Sequence, residues 1–186
     1  MDYFITKLIN WFISLEGGEY VDFAILITII IGGIFSLHQW KHSIKLKRME
    51  FINTLIEKFR EDQDISKIMY MFDYDYTWYN EKFHYNCKSN LEHDVDKTLM
   101  YLSYICSLHN NKLIDEKDMC NFEYEIRRAL SNLSVQAYLF NLYHFSKGQK
   151  VSLSFKDLFE YGLKRGWLPE RIIVSDSSEY PKYLNF

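Results

Sequence analysis

The first forty residues contain a long apolar run that no charged residue interrupts. Between Asp22 and Lys41 there is no Lys, Arg, Asp or Glu, and most of residues 23–37 are Ile, Leu, Phe or Ala. At a rise of about 1.5 Å per residue, this run would span roughly 27 Å, close to the hydrocarbon thickness of a bilayer. The pattern predicts a transmembrane helix over 21–40. A buried core helix is the alternative, but core helices are usually shorter and less uniformly apolar.

Polar residues before this run recur every three or four positions, namely Thr6, Lys7, Asn10 and Ser14. The spacing predicts an amphipathic helix over 3–15 that either lies in the membrane interface or lines an aqueous lumen with its polar side. The interface is the favoured alternative. The segment 16–19, Glu-Gly-Gly-Glu, then forms a turn into the span.

Within the span, several small or polar residues share one side at 100° per residue. They are Asp22, Gly32, Gly33 and Ser36, with Ile29 among them. Small residues allow helix backbones to approach, so this side is a candidate surface for self-association. A lumen could be lined either by Lys7, Asn10 and Ser14 or by the side that carries Asp22, Thr28 and Ser36.

After residue 40 the apolar positions follow helical spacing, and only two prolines interrupt the chain. The pattern predicts a continuation of the anchor and four further helices, over the ranges 44–60, 64–72, 92–110, 116–145 and 155–165. The predicted apolar face of the continuation is Ile44, Met49, Ile52, Leu55, Ile56 and Phe59, and that of the helix over 92–110 is Val95, Leu99, Leu102, Ile105, Cys106 and Leu108. The predicted fold class is therefore all-α, with N-terminal membrane helices and a bundle of about five helices. The predicted domains are a membrane segment (1–40), a helical domain (41–168) and a polar, disordered tail (169–186).

Several residues indicate where these helices begin and end. Asp115 and Glu116 suit the start of the long fourth helix because acidic side chains stabilise a helix amino terminus. The pair Lys147-Gly148 is expected to end it. Ser154 is expected to be the N-cap of the last helix, with Asp157 in an approximate capping box. Gly166 is expected to close that helix. The predicted core stripe of the fourth helix is Phe122, Ile126, Leu130, Leu133, Ala137 and Phe140.

The distribution of charge predicts the orientation in the membrane and argues against a general nucleic-acid interface. Basic residues follow the span directly, whereas the first 40 residues hold one base and four acids. The positive-inside rule therefore places the amino terminus outside and the helical domain in the cytoplasm. The remaining residues are formally neutral, so any contact with RNA would have to be local.

The chemistry-bearing residue types match no common catalytic or metal motif. The three cysteines have no C-x-x-C spacing and fit reduced thiols in a cytoplasmic domain. None of the six histidines belongs to a metal-binding pattern, and no Gly-rich phosphate loop occurs. We therefore predict neither a metal nor a cofactor. The aromatic stretch 74–80 contains acidic rather than basic neighbours, which favours a core or helix-packing role over stacking on RNA.

The most polar part of the predicted fourth helix contains Arg127, Arg128 and Asn132, with His144 farther on. A buried arginine there would need partners, which Glu123, Asp96 or the backbone could supply. A structural ion pair is favoured over catalysis.

An aromatic-rich five-helix domain with Arg-x4-Asn in its long helix resembles the HEPN superfamily. The resemblance implies a ribonuclease motif Arg-x4-6-His, in which Arg127 matches the arginine and Asn132 stands where the histidine is expected. Asparagine cannot exchange a proton near neutral pH, so the sequence predicts that the motif is degenerate and that the chain is not an enzyme.

An amino-terminal membrane helix joined to such a domain is similar to the accessory membrane proteins of type VI-B CRISPR systems. This resemblance implies a ring-shaped homo-oligomer in the lipid bilayer that depolarises the inner membrane and supports an RNA-guided ribonuclease against phage. Two alternatives stay open. One is a membrane-anchored HEPN ribonuclease in which Arg127, Arg128 and His144 converge across a dimer. The other is a single-pass scaffold that conducts no ions.

Overall fold

The computed structural model describes Thr6, residues 17–80 and residues 90–173. These residues form six α-helices and a short 3-10 helix, and they contain no strand. The helices are α1 (Gly17–Glu61), α2 (Gln63–Tyr74), α3 (Leu91–Asn110), α4 (Glu116–Ser131), α5 (Leu133–Gln149) and α6 (Lys156–Arg165), followed by the 3-10 helix Glu170–Ile173. The all-α prediction is confirmed for this part of the chain. Most of the predicted helix 3–15, with Lys7, Asn10 and Ser14, lies outside the described residues, as does the tail from residue 174.

The chain divides into two compact units, residues 1–53 and 54–186. The first unit holds the apolar run, and no residue of its most apolar 18-residue window is buried. Ile31 and Phe35, for example, are 61% and 60% exposed. A helix of this length and composition can span a membrane, because lipid can cover apolar side chains that no protein covers.

Helix α1 continues beyond Trp40 without a break to Glu61, as the sequence predicted. Its predicted apolar face is correct only toward the carboxyl end. Leu55 is buried, whereas Ile44 and Met49 are about half exposed.

The core of the second unit is organised around α3, which packs against α2, α4 and α6. Its predicted apolar face is confirmed, since every member is buried: Val95, Leu99, Leu102, Ile105, Cys106 and Leu108. The Tyr101 hydroxyl on α3 donates to the Leu55 carbonyl, and its ring stacks on Phe59 with 5.8 Å between centroids. These contacts hold the last turns of α1 against the bundle.

The prediction of one long helix over 116–145 is wrong. The helix breaks at Asn132, whose backbone is extended (φ −72°, ψ 126°), so α4 and α5 are separate elements. Leu133, assigned to the core stripe, is consequently 59% exposed. The physical cause is the Asn132 side chain, which competes with the helical backbone for hydrogen bonds, as asparagine commonly does.

The helix ends were predicted in part. Asp115 and Glu116 lie at the start of α4 and Gly166 ends α6 in the left-handed conformation, as predicted. Asp115 also forms a full capping box with Asp118, which was not predicted. Ser154 is not the N-cap of α6; that position belongs to Phe155, which has φ 57° and a buried ring. Helix α5 runs past Gly148 and ends at Gln149, and its C-cap Lys150 also has φ 57°.

Candidate functional site

The polar residues singled out in the sequence lie where α4 meets the carboxyl end of α2. Arg128 donates through Nε to Asp73 Oδ1 at 2.5 Å and through Nη2 to Asp73 Oδ2, in a bidentate pair. Its Nη1 donates to Glu125 at 2.7 Å, and Nη2 also donates to the Met69 carbonyl at 3.0 Å. Four of its five N–H donors are thereby occupied within the protein.

The predicted partners of the buried arginine were therefore wrong in part. The backbone does supply one acceptor, but the carboxylates are Asp73 and Glu125 rather than Glu123 and Asp96. Asp96 instead accepts a hydrogen bond from the Tyr138 hydroxyl at 2.6 Å. Sequence spacing could have suggested Glu125, three residues before Arg128, but not Asp73, which is 55 positions away.

Asn132 is fully occupied by structural hydrogen bonds. Its Oδ1 accepts from the Val135 amide at 3.0 Å, which makes it the N-cap of α5. Its Nδ2 donates to the carbonyls of Phe72 and Asp75 at 2.8 and 3.1 Å. Because the last carbonyls of a helix have no partner within it, Asn132 caps α2 and α5 at once.

The segment that follows α2 is fixed by the start of α5. Ser134 Oγ donates to the Tyr76 carbonyl at 2.6 Å, and Asn141 Nδ2 donates to the Tyr79 hydroxyl at 2.9 Å. Trp78 and Tyr79 are buried, and the Tyr79 ring meets Tyr138 edge-on at 5.3 Å. The core role predicted for the aromatic stretch is correct for these two residues. It is wrong for Tyr74 and Tyr76, which are exposed.

Two clefts flank the pair formed by Arg128 and Asp73. The larger, of about 380 Å³, lies between the end of α1, α2 and α4, and the smaller, of about 260 Å³, lies between α2 and α4. Arg127, Arg128 and Asn132 all line the smaller cleft. His144 lines neither; it lies on α5, where its ring packs on Phe140 at 4.3 Å.

Arg127, the residue that the HEPN resemblance singled out, is exposed, whereas its neighbour Arg128 is half-buried. Burial by itself lowers the pKa of Arg128, but its hydrogen bonds to Asp73 and the nearby Glu125 charge outweigh burial, so the net shift is upward. The guanidinium is therefore held as a permanent cation with its charge neutralised locally.

Two buried titratable groups of the bundle, Tyr138 and Cys106, are poorly suited to proton transfer. Burial, and then the charge of Asp96, raises the pKa of Tyr138 well above the ordinary tyrosine range. Burial also raises the pKa of the Cys106 thiol to about 12. Neither group would give up a proton near neutral pH. Among the residues the structure describes, no cluster of His, Cys, Asp and Glu could hold a metal ion.

The candidate packing residues of α1 are all exposed in a single chain: Asp22, Thr28, Gly32, Gly33 and Ser36. A Cβ added at Gly32 or Gly33 would meet nothing within 4 Å. The Thr28 hydroxyl donates to the Ala24 carbonyl at 2.8 Å, so its donor is satisfied within the helix. This side of α1 therefore has room for a second helix.

No protein-family model matches the chain. The searches of curated proteins and of solved structures also give no match.

Proposed function

We propose that this chain is a membrane effector without enzymatic activity, which assembles into a ring-shaped homo-oligomer and permeabilises or depolarises the bacterial inner membrane. In this proposal it supports an RNA-guided CRISPR ribonuclease in defence against phage. The membrane location is supported by α1, because no residue of its most apolar 18-residue segment is buried by the protein. Leaving that surface in water would be costly, and lipid removes the cost.

The contacts of Arg128 and Asn132 support a function other than catalysis. Both side chains stabilise the carboxyl end of α2, and the histidine of the HEPN motif is replaced by an asparagine that is only 1% exposed. A ribonuclease needs a group that exchanges a proton at the scissile phosphate. His144, the nearest substitute in sequence, lies on another helix and outside both clefts.

The exposed small residues of α1 support self-association in the membrane. Helices in lipid associate through close packing, which small residues permit. Gly33 is open on its side of the helix, and Ile31 points to the opposite side at 100° per residue. Gly33→Phe should therefore block packing, whereas Ile31→Phe introduces the same aromatic side chain on the opposite side of the helix.

The test measures the mass of the detergent-extracted full chain and ion flux through liposomes that contain it. We expect a multi-subunit particle and flux, both lost in Gly33→Phe and retained in Ile31→Phe. A monomeric particle with sealed liposomes, even with the partner nuclease added, would overturn the proposal. A multi-subunit particle that gives no ion flux would overturn the proposed pore and would support the alternative of a scaffold that conducts no ions. Cleavage of RNA that is lost in Arg127→Ala would establish the ribonuclease alternative instead.

A further inference from the structure

Four tyrosine side chains of the second unit are largely exposed to solvent. Tyr74 is 80% exposed, Tyr124 68%, Tyr70 62% and Tyr76 55%. We call these four residues the tyrosine surface. Large aromatic side chains that are grouped and exposed mark interaction sites, because their removal from water releases much free energy.

The four tyrosines lie around one point of the fold. Tyr70 lines the larger cleft together with Asp73 and Arg128, while Tyr76 and Tyr124 line the smaller cleft with the same two residues. Tyr74 follows Tyr70 by one helical turn and so shares its face of α2. The surface is thus continuous across α2, the segment after it and α4.

The buried hydrogen bonds at the α2–α4 junction hold this surface in place. Asn132 binds the Phe72 and Asp75 carbonyls, on either side of Tyr74, and Ser134 binds the carbonyl of Tyr76 itself. The Tyr124 ring lies against the Arg128 guanidinium, with Cζ 5.6 Å from its centroid. Aromatic anchors that are already fixed lose little conformational entropy on binding.

The charges around the tyrosine surface distinguish between kinds of partner. The lining of the two clefts and the residues near the four tyrosines in the sequence carry four cations and four carboxylates: Arg60, Lys67, Arg127 and Arg128, with Asp73, Asp75, Glu123 and Glu125. A strand of RNA requires an excess of positive charge, which this surface lacks. Arg127 and Lys67, like Asp75 and Glu123, make no ion pair with any described residue. Side chains of both charges are therefore available for ion pairs with a partner. Such a surface is complementary to a protein whose own surface also presents positive and negative side chains.

We propose that the tyrosine surface binds a neighbouring copy of this chain. The second unit can supply such a partner surface, since it contains 17 basic and 20 acidic residues and both signs occur along its length. Anchors in one membrane raise the effective concentration of the copies, so a modest patch suffices. This inference rests on the proposed function, in which closure of a ring requires a head-to-tail contact.

The first test replaces the two most exposed tyrosines in the full-length, detergent-extracted protein. Tyr74→Ala with Tyr124→Ala should lower the mass of the particle and weaken assembly at least tenfold, because interface tyrosines are frequent hot spots. The matched control is Met100→Ala with Tyr104→Ala, a pair on the exposed face of α3 that is 57% and 48% exposed. The control should assemble as the wild type does. A melting temperature equal to wild type checks that both variants fold.

Cys120 offers a second, independent readout. It is exposed and precedes Tyr124 by one turn on the same face of α4. Buried Cys106, with its raised pKa, does not react readily, and Cys87→Ser removes the third thiol. Maleimide should label Cys120 at least tenfold more slowly in the assembled protein than in the Tyr74→Ala, Tyr124→Ala variant.

The outcomes separate this inference from the proposed function. Unchanged mass and unchanged labelling in the tyrosine variant, with flux intact, would overturn the tyrosine contact and leave the membrane effector standing. If the wild-type protein is monomeric and the liposomes that contain it show no ion flux, both the tyrosine contact and the proposed membrane effector are overturned. Loss of binding to a single-stranded RNA oligonucleotide in the variant, with mass unchanged, would show that RNA is the partner and overturn the contact between copies.

Discussion

Arg128 of α4 holds Asp73 in the last turn of α2 through a bidentate pair, across 55 positions of sequence. Arg128, which follows the candidate catalytic residue Arg127 in the sequence, therefore stabilises the junction between α2 and α4. Its exposed neighbour Arg127 lies on the outer face of α4 and takes no part in this pair. The two adjacent arginines thus have separate environments, which makes each a control for the other.

Arg128→Ala should destabilise the protein by about 2 kcal/mol, because it leaves the Asp73 carboxylate partly buried without its cation. Arg127→Ala removes an exposed side chain and should change stability by less than about 0.5 kcal/mol. Thermal unfolding of the two variants in the same detergent measures the difference. Equal losses would contradict the structural role of Arg128.

Asn132→His would introduce a histidine at the position where the HEPN resemblance implies one, yet it should destabilise the protein and produce no ribonuclease. The site is 1% exposed, and the imidazole is larger than the amide that bonds the Phe72 and Asp75 carbonyls. A loss of about 2 kcal/mol is expected from the cap and the hydrogen bonds. A stable variant that cleaves RNA would revive the catalytic alternative.

Gly162→Ala should destabilise the bundle by about 1–3 kcal/mol, the usual cost of overpacking a core. A Cβ at this position of α6 would lie 2.7 Å from Leu130 Cδ1 and 2.9 Å from Leu168 Cδ1. Gly148→Ala is the matched control, since nothing lies within 4 Å of its added Cβ and alanine favours a helix by up to about 1 kcal/mol. Denaturant melts should show opposite signs for the two changes.

Asp62→Asn should make stability less sensitive to acid. The hydrogen bond from Lys97 holds the pKa of Asp62 below its ordinary value of 3.8. A carboxyl whose pKa is lower when folded stabilises the protein fully above about pH 4, and this stabilisation is lost as the pH falls below that value.

The expected difference is below about 1 kcal/mol, because the pair is partly exposed. Asparagine retains the N-cap of α2, so the change isolates the ion pair. Melting temperatures of the variant and the wild type from pH 7 to pH 2.5 measure the contribution of the ion pair to stability. Parallel curves for the variant and the wild type would show that the pair contributes nothing.

The sequence by itself determined the elements whose patterns are local. The uncharged apolar run predicted the helix of the first unit, and the spacing from Val95 to Leu108 predicted the buried face of α3. Caps such as Asp115 and Gly166 were also predictable, because their hydrogen bonds lie within a few residues. The HEPN-like arrangement of the bundle stays a prediction.

Tertiary structure decided what depends on partners far along the chain. The break at Asn132 is invisible to periodicity, because the carbonyls that its side chain binds are 57 and 60 residues away. For the same reason the sequence could not tell that Arg128 would be half-buried and Arg127 exposed, or that Tyr74 would face solvent while Trp78 enters the core. Helical spacing determines which residues share a face, but only packing determines whether that face meets protein, lipid or water.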